Sequence, residues 1–235
     1  MSEILCEWGL EGIDSLRSRA SAFVIVDVLS FSTAVSIAVE RGAAVIPFPW
    51  GDAEAAARAA REAGAVAAVP REAGGRQPSL SPASLRALAP GTRLLLPSPN
   101  GSRLSLATGD TPTFCGCLRN FEAVAQCAHR AAAGGAVAVI PAGERWPGGA
   151  LRPAVEDLIG AGAVIAALRG DESVEAQVAR AAFEGIGDIG AVVRQSASGR
   201  ALAAIGFAED VEVALEIGRS GCAPRLADGA YSSGL

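Results

Sequence analysis

Carboxylates placed where apolar runs end are the first residues in this chain that could do chemistry. "IVDVLSFST" closes an apolar run on Asp27 and follows it with Ser30, Ser32 and Thr33. An acid beside hydroxyls at a helix start suits a hard cation such as magnesium and a phosphate oxygen. The same acid could instead cap the helix or pair with an arginine. "PSPNGSRL" places Asn100, Gly101 and Ser102 ahead of a helical stretch. A glycine free to take a positive φ lets backbone amides approach an anion, although Asn-Gly is also a common turn. "CGCLRN" supplies Arg119 as an anion contact and Asn120 where a helix would be capped. "PAGERWPGGALRPAVEDLIGAG" contributes Glu144, Arg145, Glu156 and Asp157. Adjacent acids on an otherwise apolar helix need a cation, arginine partners or a solvated edge.

Spacing removes several alternatives. Haloacid-dehalogenase-type phosphatases carry Asp-x-Asp at a strand end, and Leu29 stands at the second position here. A cysteine phosphatase needs Cys, five residues, then Arg; the corresponding positions after Cys115 and Cys117 are Phe121 and Ala123. The five cysteines form no paired set, and His129 is the only histidine, which argues against zinc and for free thiols. The chain has no lysine, its twenty basic residues all being arginine. Every cationic contact to a substrate must therefore be a planar guanidinium fork.

Positioning these residues requires strands that end where the polar loops begin. Apolar runs at 22–28, 43–48, 66–70, 93–98, 111–116 and 136–142 read as strands, and helix-period segments lie between them. Ser32, Asp52, Ser81 and Asn120 are the expected N-caps. Near-continuous apolar strands alternating with helices predict an α/β fold: a mostly parallel sheet flanked by helices. After residue 150 the pattern turns helical, with only "APRLADG" extended. This predicts one α/β domain over 1–235, sheet-rich over 1–150 and helix-rich over 151–235, the two parts not independent. In such sheets ligands bind beyond the carboxyl ends of the strands. That rule selects 27–33, 71–81, 98–103, 115–120 and 142–149.

With 235 residues, 50% of them hydrophobic and 19% charged, the chain can bury a sizeable core. A net charge of −5 with scattered arginines argues against nucleic acid, and no apolar stretch is long enough to span a bilayer. No signal segment is visible, so the expected location is cytoplasmic. A compact, apolar-rich metabolic enzyme is compatible with a homodimer.

Taken together and in order, "VDVLSFSTA", "PSPNGS", "CGCLRN", "AGE…EDLIGAG" and the closing "SASGRALAAIGFAEDVEVALEI…APRLADG" resemble the ComB-type 2-phosphosulfolactate phosphatases over nearly the whole chain. The resemblance implies an α/β fold of that family's own and magnesium-dependent hydrolysis of 2-phosphosulfolactate to 3-sulfolactate and phosphate. In some organisms this step belongs to coenzyme M synthesis. It points to Asp27, Ser32, Thr33, Asn100, Gly101, Ser102, Asn120, Glu156 and Asp157. Catalysis is thereby expected at Asp27, Glu156 and Asp157. Substrate binding is expected at Ser32, Thr33, Asn100, Gly101, Ser102, Arg119 and Asn120, and Mg2+ binding at Asp27, Glu144 and Asp157. The chain departs from the family at Ser30, where an Arg is usual, and at Ser98-Pro99-Asn100-Gly101-Ser102, where Thr-Thr-Asn-Gly-Thr is usual. A family Gly-Asn-Ser-Pro is represented by Ser79-Leu80-Ser81-Pro82. Arg71, Arg76, Arg103, Arg119 and Arg145 are candidate replacements for the lost guanidinium. The alternatives are a related phosphatase acting on another small anionic phosphoester, and an inactive anion-binding relative.

Overall fold

A computed structural model of the chain describes residues 2–71 and 77–233. The chain opens with β1 (Glu3–Cys6), α1 (Gly9–Leu16), β2 (Ala20–Val26), α2 (Phe31–Glu40), β3 (Ala44–Pro49), α3 (Ala53–Glu62) and β4 (Val66–Ala67). It continues through α4 (Pro82–Leu85), β5 (Arg93–Ser98), α5 (Gly101–Ala107), β6 (Thr113–Gly116), α6 (Phe121–Ala132) and β7 (Ala136–Pro141). A short ladder of β8 (Glu144–Arg145) and β9 (Leu151–Arg152) precedes α7 (Val155–Ala167), β10 (Asp171–Glu172) and α8 (Val174–Gly185). Last come α9 (Ile189–Gln195), α10 (Ala197–Ala204), α11 (Ala208–Ala214), β11 (Pro224–Ala227) and β12 (Ala230–Ser233). The fold is α/β, with a ten-stranded sheet ordered β10-β1-β7-β2-β6-β11-β12-β3-β5-β4.

Six of its nine junctions are parallel. The other three, β6/β11, β11/β12 and β12/β3, are antiparallel. The C-terminal hairpin therefore joins two parallel ladders and inverts the strand direction between them. In a flat sheet β2 and β5, five steps apart, would be separated by roughly 24 Å and end at opposite edges. The Gly101 amide nevertheless lies 2.9 Å from the Asp27 carboxylate. Coiling of the twisted sheet, together with the reach of the loop from Ser98 to Gly101, brings the two ends together. Helix α2 lies across the closure, touching β6, β12, β3 and α5.

Both faces of the central strands are buried, which is why they read as continuous apolar runs. Val24 and Val26 pack with α6, α7 and α8 residues such as Val124, Val164 and Ala176. Phe23 and Ile25 face Ile13, Leu16 and Leu104 from α1 and α5. In the other ladder Val45, Leu94 and Leu96 bury against α2, α4 and Tyr231, while Leu95 packs on Ala56 and Ala60 of α3.

Two differences from the sequence reading have local causes. The segment 191–206 holds two helices, because the Ser196 hydroxyl accepts the Gly199 amide at 3.0 Å and starts α10 there. Helix α2 begins two residues earlier than Ser32 implied, with Ser30 at the N-cap position and Ser32 inside the helix. Asp52 is a cap as expected, accepting the Ala55 amide at 2.8 Å. Ser81 and Asn120 hold their expected positions without a capping bond. Among the described residues, no helix is long and apolar enough to cross a membrane.

Candidate active site

The closure of the sheet brings together loops that are distant in sequence. Asp27, 5% exposed just past β2, accepts the Phe31 amide at 3.2 Å on Oδ1 and the Gly101 amide at 2.9 Å on Oδ2. It therefore ties the loop after β2 to the start of α5. Asp157, in the first turn of α7, performs the same service for a different pair. Its Oδ1 accepts the Val28 amide at 2.7 Å and its Oδ2 the Gly143 amide at 2.9 Å, joining the loops after β2 and β7. Gly160 permits this approach: a Cβ there would lie 2.6 Å from Val28 Cγ2, so only glycine lets α7 press against the Asp27 loop.

Two further acids complete the group. Glu144 Oε2 accepts from Asn100 Nδ2 at 3.0 Å. Glu156 is 2% exposed, and its Oε2 has no hydrogen-bond partner among the described residues. A buried carboxylate oxygen without a partner is costly unless a cation or proton meets it. The four acids feel one another. Burial, then the Glu144 charge, pushes Asp27 up to about 7, against the pull of the Phe31 and Gly101 amides and of Arg71. Burial, then the charges of Asp27 and Glu156, raises Asp157 well above the carboxylate range. Burial also raises Glu144, opposed by Asn100 and by Arg152, its partner across the β8/β9 ladder. A cation would relieve all three shifts at once.

Among the described residues, no three His, Cys, Asp or Glu side chains are grouped tightly enough to hold a metal as a preformed set. Magnesium does not require one. It usually keeps several waters and takes one or two carboxylates together with substrate phosphate. A carboxylate oxygen that accepts one amide also retains a second lone pair.

The remaining expected residues separate into groups. Ser32 Oγ accepts the Asp27 amide at 2.9 Å and donates to Ile25 O at 3.1 Å, and Thr33 Oγ1 donates to Val28 O at 2.8 Å. Both shape the turn beneath Asp27. Ser102 Oγ donates to Leu96 O at 2.9 Å, which fixes α5 to β5. Asn120 Oδ1 accepts the Cys117 amide at 2.9 Å and Nδ2 donates to Cys115 O at 3.2 Å, closing the β6–α6 turn. Arg119 is not brought to Asp27. It is 2% exposed, and its guanidinium pairs with Glu40 at 2.8 Å and with Glu216. Glu40 ends α2, about 14 Å along the helix axis from Phe31 at its start. Gly101 also differs from expectation. Its φ is not positive; a Cβ would lie 2.2 Å from Phe31 Cδ1, and its amide points at a carboxylate. Close approach, not backbone freedom, calls for glycine there.

All five cysteines are free. Burial raises the thiols of Cys115 and Cys117, which disfavours the thiolate a nucleophile needs.

Arg71 reaches the place where the sequence lacks an arginine: its NH2 donates to Ser30 Oγ. Arg103 and Arg145 are exposed, and Arg76 lies outside the described residues. Two side chains of this neighbourhood escaped the sequence reading. Arg152 carried a signal, because Gly148-Gly149 between two short runs marks a turn that returns it to Glu144. Asp210 lies in the first turn of α11, accepts from Ser81 Oγ and faces Arg71, and nothing in its local sequence sets it apart from a solvated helix start.

The model of the 2-phosphosulpholactate phosphatase family matches residues 11–229. A 2-phosphosulfolactate phosphatase of Methanothermobacter thermautotrophicus is 31% identical over 210 residues, covering 88% of this chain and 87% of that protein.

Proposed function

We propose, for a chain that belongs to the 2-phosphosulpholactate phosphatase family, that it hydrolyses the phosphate ester of 2-phosphosulfolactate, releasing 3-sulfolactate and phosphate. The observation that carries the reading is the convergence of Asp27 after β2, Glu144 in β8 and Glu156 and Asp157 at the start of α7, with Glu156 Oε2 buried and without a hydrogen-bond partner among the described residues. Such a concentration of negative charge cannot itself receive a phosphate dianion; it needs a cation between. Magnesium fits such a site when it keeps several waters, and one or two of Asp27, Glu144 and Asp157 would hold it together with the substrate phosphate. When bound it supplies neutralisation of the phosphoryl oxygens.

The protein's own groups have distinct tasks. The Phe31 and Gly101 amides fix the Asp27 carboxylate. Asn100 orients Glu144. Asp157 holds the loops after β2 and β7 at a set spacing. Held by two amides at the acid site, the Asp27 carboxylate is suited to hold the cation or to attack at the phosphoryl group. The test is phosphate release from 2-phosphosulfolactate and from a panel of phosphomonoesters, with magnesium and with a chelator. Release that requires magnesium and favours 2-phosphosulfolactate is expected. Equal turnover in metal-free buffer removes the metal from the reading, and no release from any phosphoester removes the phosphatase.

A further inference from the structure

We propose that Arg103, together with Arg145, binds an oxyanion on the part of the substrate that is not transferred, and so selects phosphoesters that carry a second anionic group. The inference rests on the phosphatase reading and adds to it the residue that recognises the rest of the substrate.

Three loops at the carboxyl ends of strands meet in a small pocket beside the acids. Gly9 and Leu10 come after β1, Pro99 and Asn100 after β5, and Ala142 after β7. Arg103 and Arg145 line the same pocket. Asn100 links it to the acid site. Its Nδ2 donates to Glu144 Oε2 at 3.0 Å, and the amide of the next residue holds Asp27. Arg103 stands three residues after Asn100, in the first turn of α5, a spacing that makes the two side chains neighbours on the helix.

Neither arginine is neutralised by an acid. Among the described residues Arg103 makes no hydrogen bond or ion pair, and Arg145 donates to Gly149 O at 2.7 Å without meeting a carboxylate. Arg119 shows the contrary case, a guanidinium closed off by Glu40 and Glu216. The first turn of a helix also disfavours a cation, and α5 carries no acid there to offset it. An exposed arginine is ordinarily just solvated. These two differ because they share one pocket, on the sheet edge where ligands bind, next to four carboxylates. Those carboxylates repel any second anion on the substrate unless cations receive it. A planar guanidinium grips paired oxygens, and a sulfonate and a carboxylate share that chemistry.

The experiment measures kcat and KM, with magnesium present, on four phosphomonoesters that differ by one anion at a time: 2-phosphosulfolactate, 2-phospholactate, 2-phosphooxypropane-1-sulfonate and isopropyl phosphate. The readout is the ratio of kcat/KM on 2-phosphosulfolactate to that on isopropyl phosphate. A change in folded fraction or in phosphoryl chemistry acts on both substrates and cancels. Arg103→Gln should lower this ratio roughly 5–50-fold, mainly through KM on 2-phosphosulfolactate, as for the loss of a charge-assisted contact at an exposed site. Arg103→Lys, which keeps the charge without the fork, should fall between, and Arg145→Gln should lower the ratio by a smaller factor. The middle substrates show which anion is held: the one whose removal abolishes the difference between Arg103→Gln and wild type. Inhibition by 3-sulfolactate, which carries both organic anions and no phosphate, should weaken in Arg103→Gln by a similar factor, and inhibition by inorganic phosphate should weaken less. An unchanged ratio in folded Arg103→Gln, or phosphate inhibition that weakens as much as 3-sulfolactate inhibition, overturns the proposal. Wild-type protein that releases phosphate from none of the four overturns the phosphatase reading and this one with it.

Discussion

Asp27 has opposed demands on it. The fold raises its pKa to about 7 from the ordinary 3.8, so between those values the folded chain binds more protons than the unfolded one. Its contribution to stability is full below about 3.8, falls as pH rises, and is lost above about 7. Asp157, raised for the same reason, acts in the same direction. The metal-free protein should therefore unfold at lower urea at pH 8 than at pH 5.5, and Asp27→Asn should flatten that dependence while cutting turnover at least 100-fold. An unchanged pH slope in the variant would remove Asp27 from this role. Gly101 is constrained by space: Gly101→Ala should cost about 1–3 kcal/mol, because the new methyl meets the Phe31 ring. Pairing it with Phe31→Ala should recover part of that loss in a denaturation double-mutant cycle. Strict additivity would mean that the methyl is accommodated elsewhere.

At the scale of elements, α7 shows why adjacent acids can have different tasks. Asp157 accepts two amides that join two loops, whereas Glu156 Oε2 accepts no hydrogen bond among the described residues. Asp157→Ala should cost stability, on the order of 1–3 kcal/mol for two buried hydrogen bonds. Glu156→Gln should not lower stability in metal-free protein, since it removes a buried unpaired charge, and should abolish the increase on adding magnesium. A magnesium-induced rise in melting temperature that persists in Glu156→Gln would exclude Glu156 from the metal site. The sequence disclosed α7 and its acids because the apolar helix made them conspicuous. It disclosed β3, β5 and β7 within a residue or two, because strands buried on both faces read as unbroken apolar runs. It did not disclose β1, whose four residues begin with Glu3 and pair through long-range contacts. The acids at 27, 144, 156 and 157 were legible as a group because burial of charge demands a reason. Ser32, Thr33, Asn120 and Arg119 were equally polar and equally close to strand ends, but local turns and ion pairs compete for such side chains. Only the fold reveals which competitor wins.

The whole molecule depends on a hairpin formed by its last described residues. Asp228 and Gly229 have φ values of 50° and 77°, the two positive values that a tight two-residue hairpin turn requires. "DG" between short extended runs announces such a turn, yet β12 escaped the sequence reading, which ended at that glycine. The omission matters because β12 bridges the two parallel ladders, and its Tyr231 pairs with Val45. Tyr231 is fully buried, packs edge-on against Phe31 at 6.2 Å, and donates its hydroxyl to Ser105 Oγ at 2.7 Å. Ser105 Oγ in turn donates to Gly101 O at 2.7 Å. The Gly101 amide holds Asp27, so one chain of contacts runs from the C-terminal strand to the acid at the candidate site. Truncation should separate the two contributions. Tyr231→Phe keeps the ring against Phe31 and removes one hydrogen bond, costing about 1 kcal/mol and lowering kcat modestly as the Gly101 peptide loosens. Tyr231→Ala also empties the volume between the ladders, costing about 3–5 kcal/mol and a far larger share of activity. Urea denaturation and phosphate release on the two variants check this. If Tyr231→Ala is as active as wild type while folded, the hairpin joins the sheet without supporting the site.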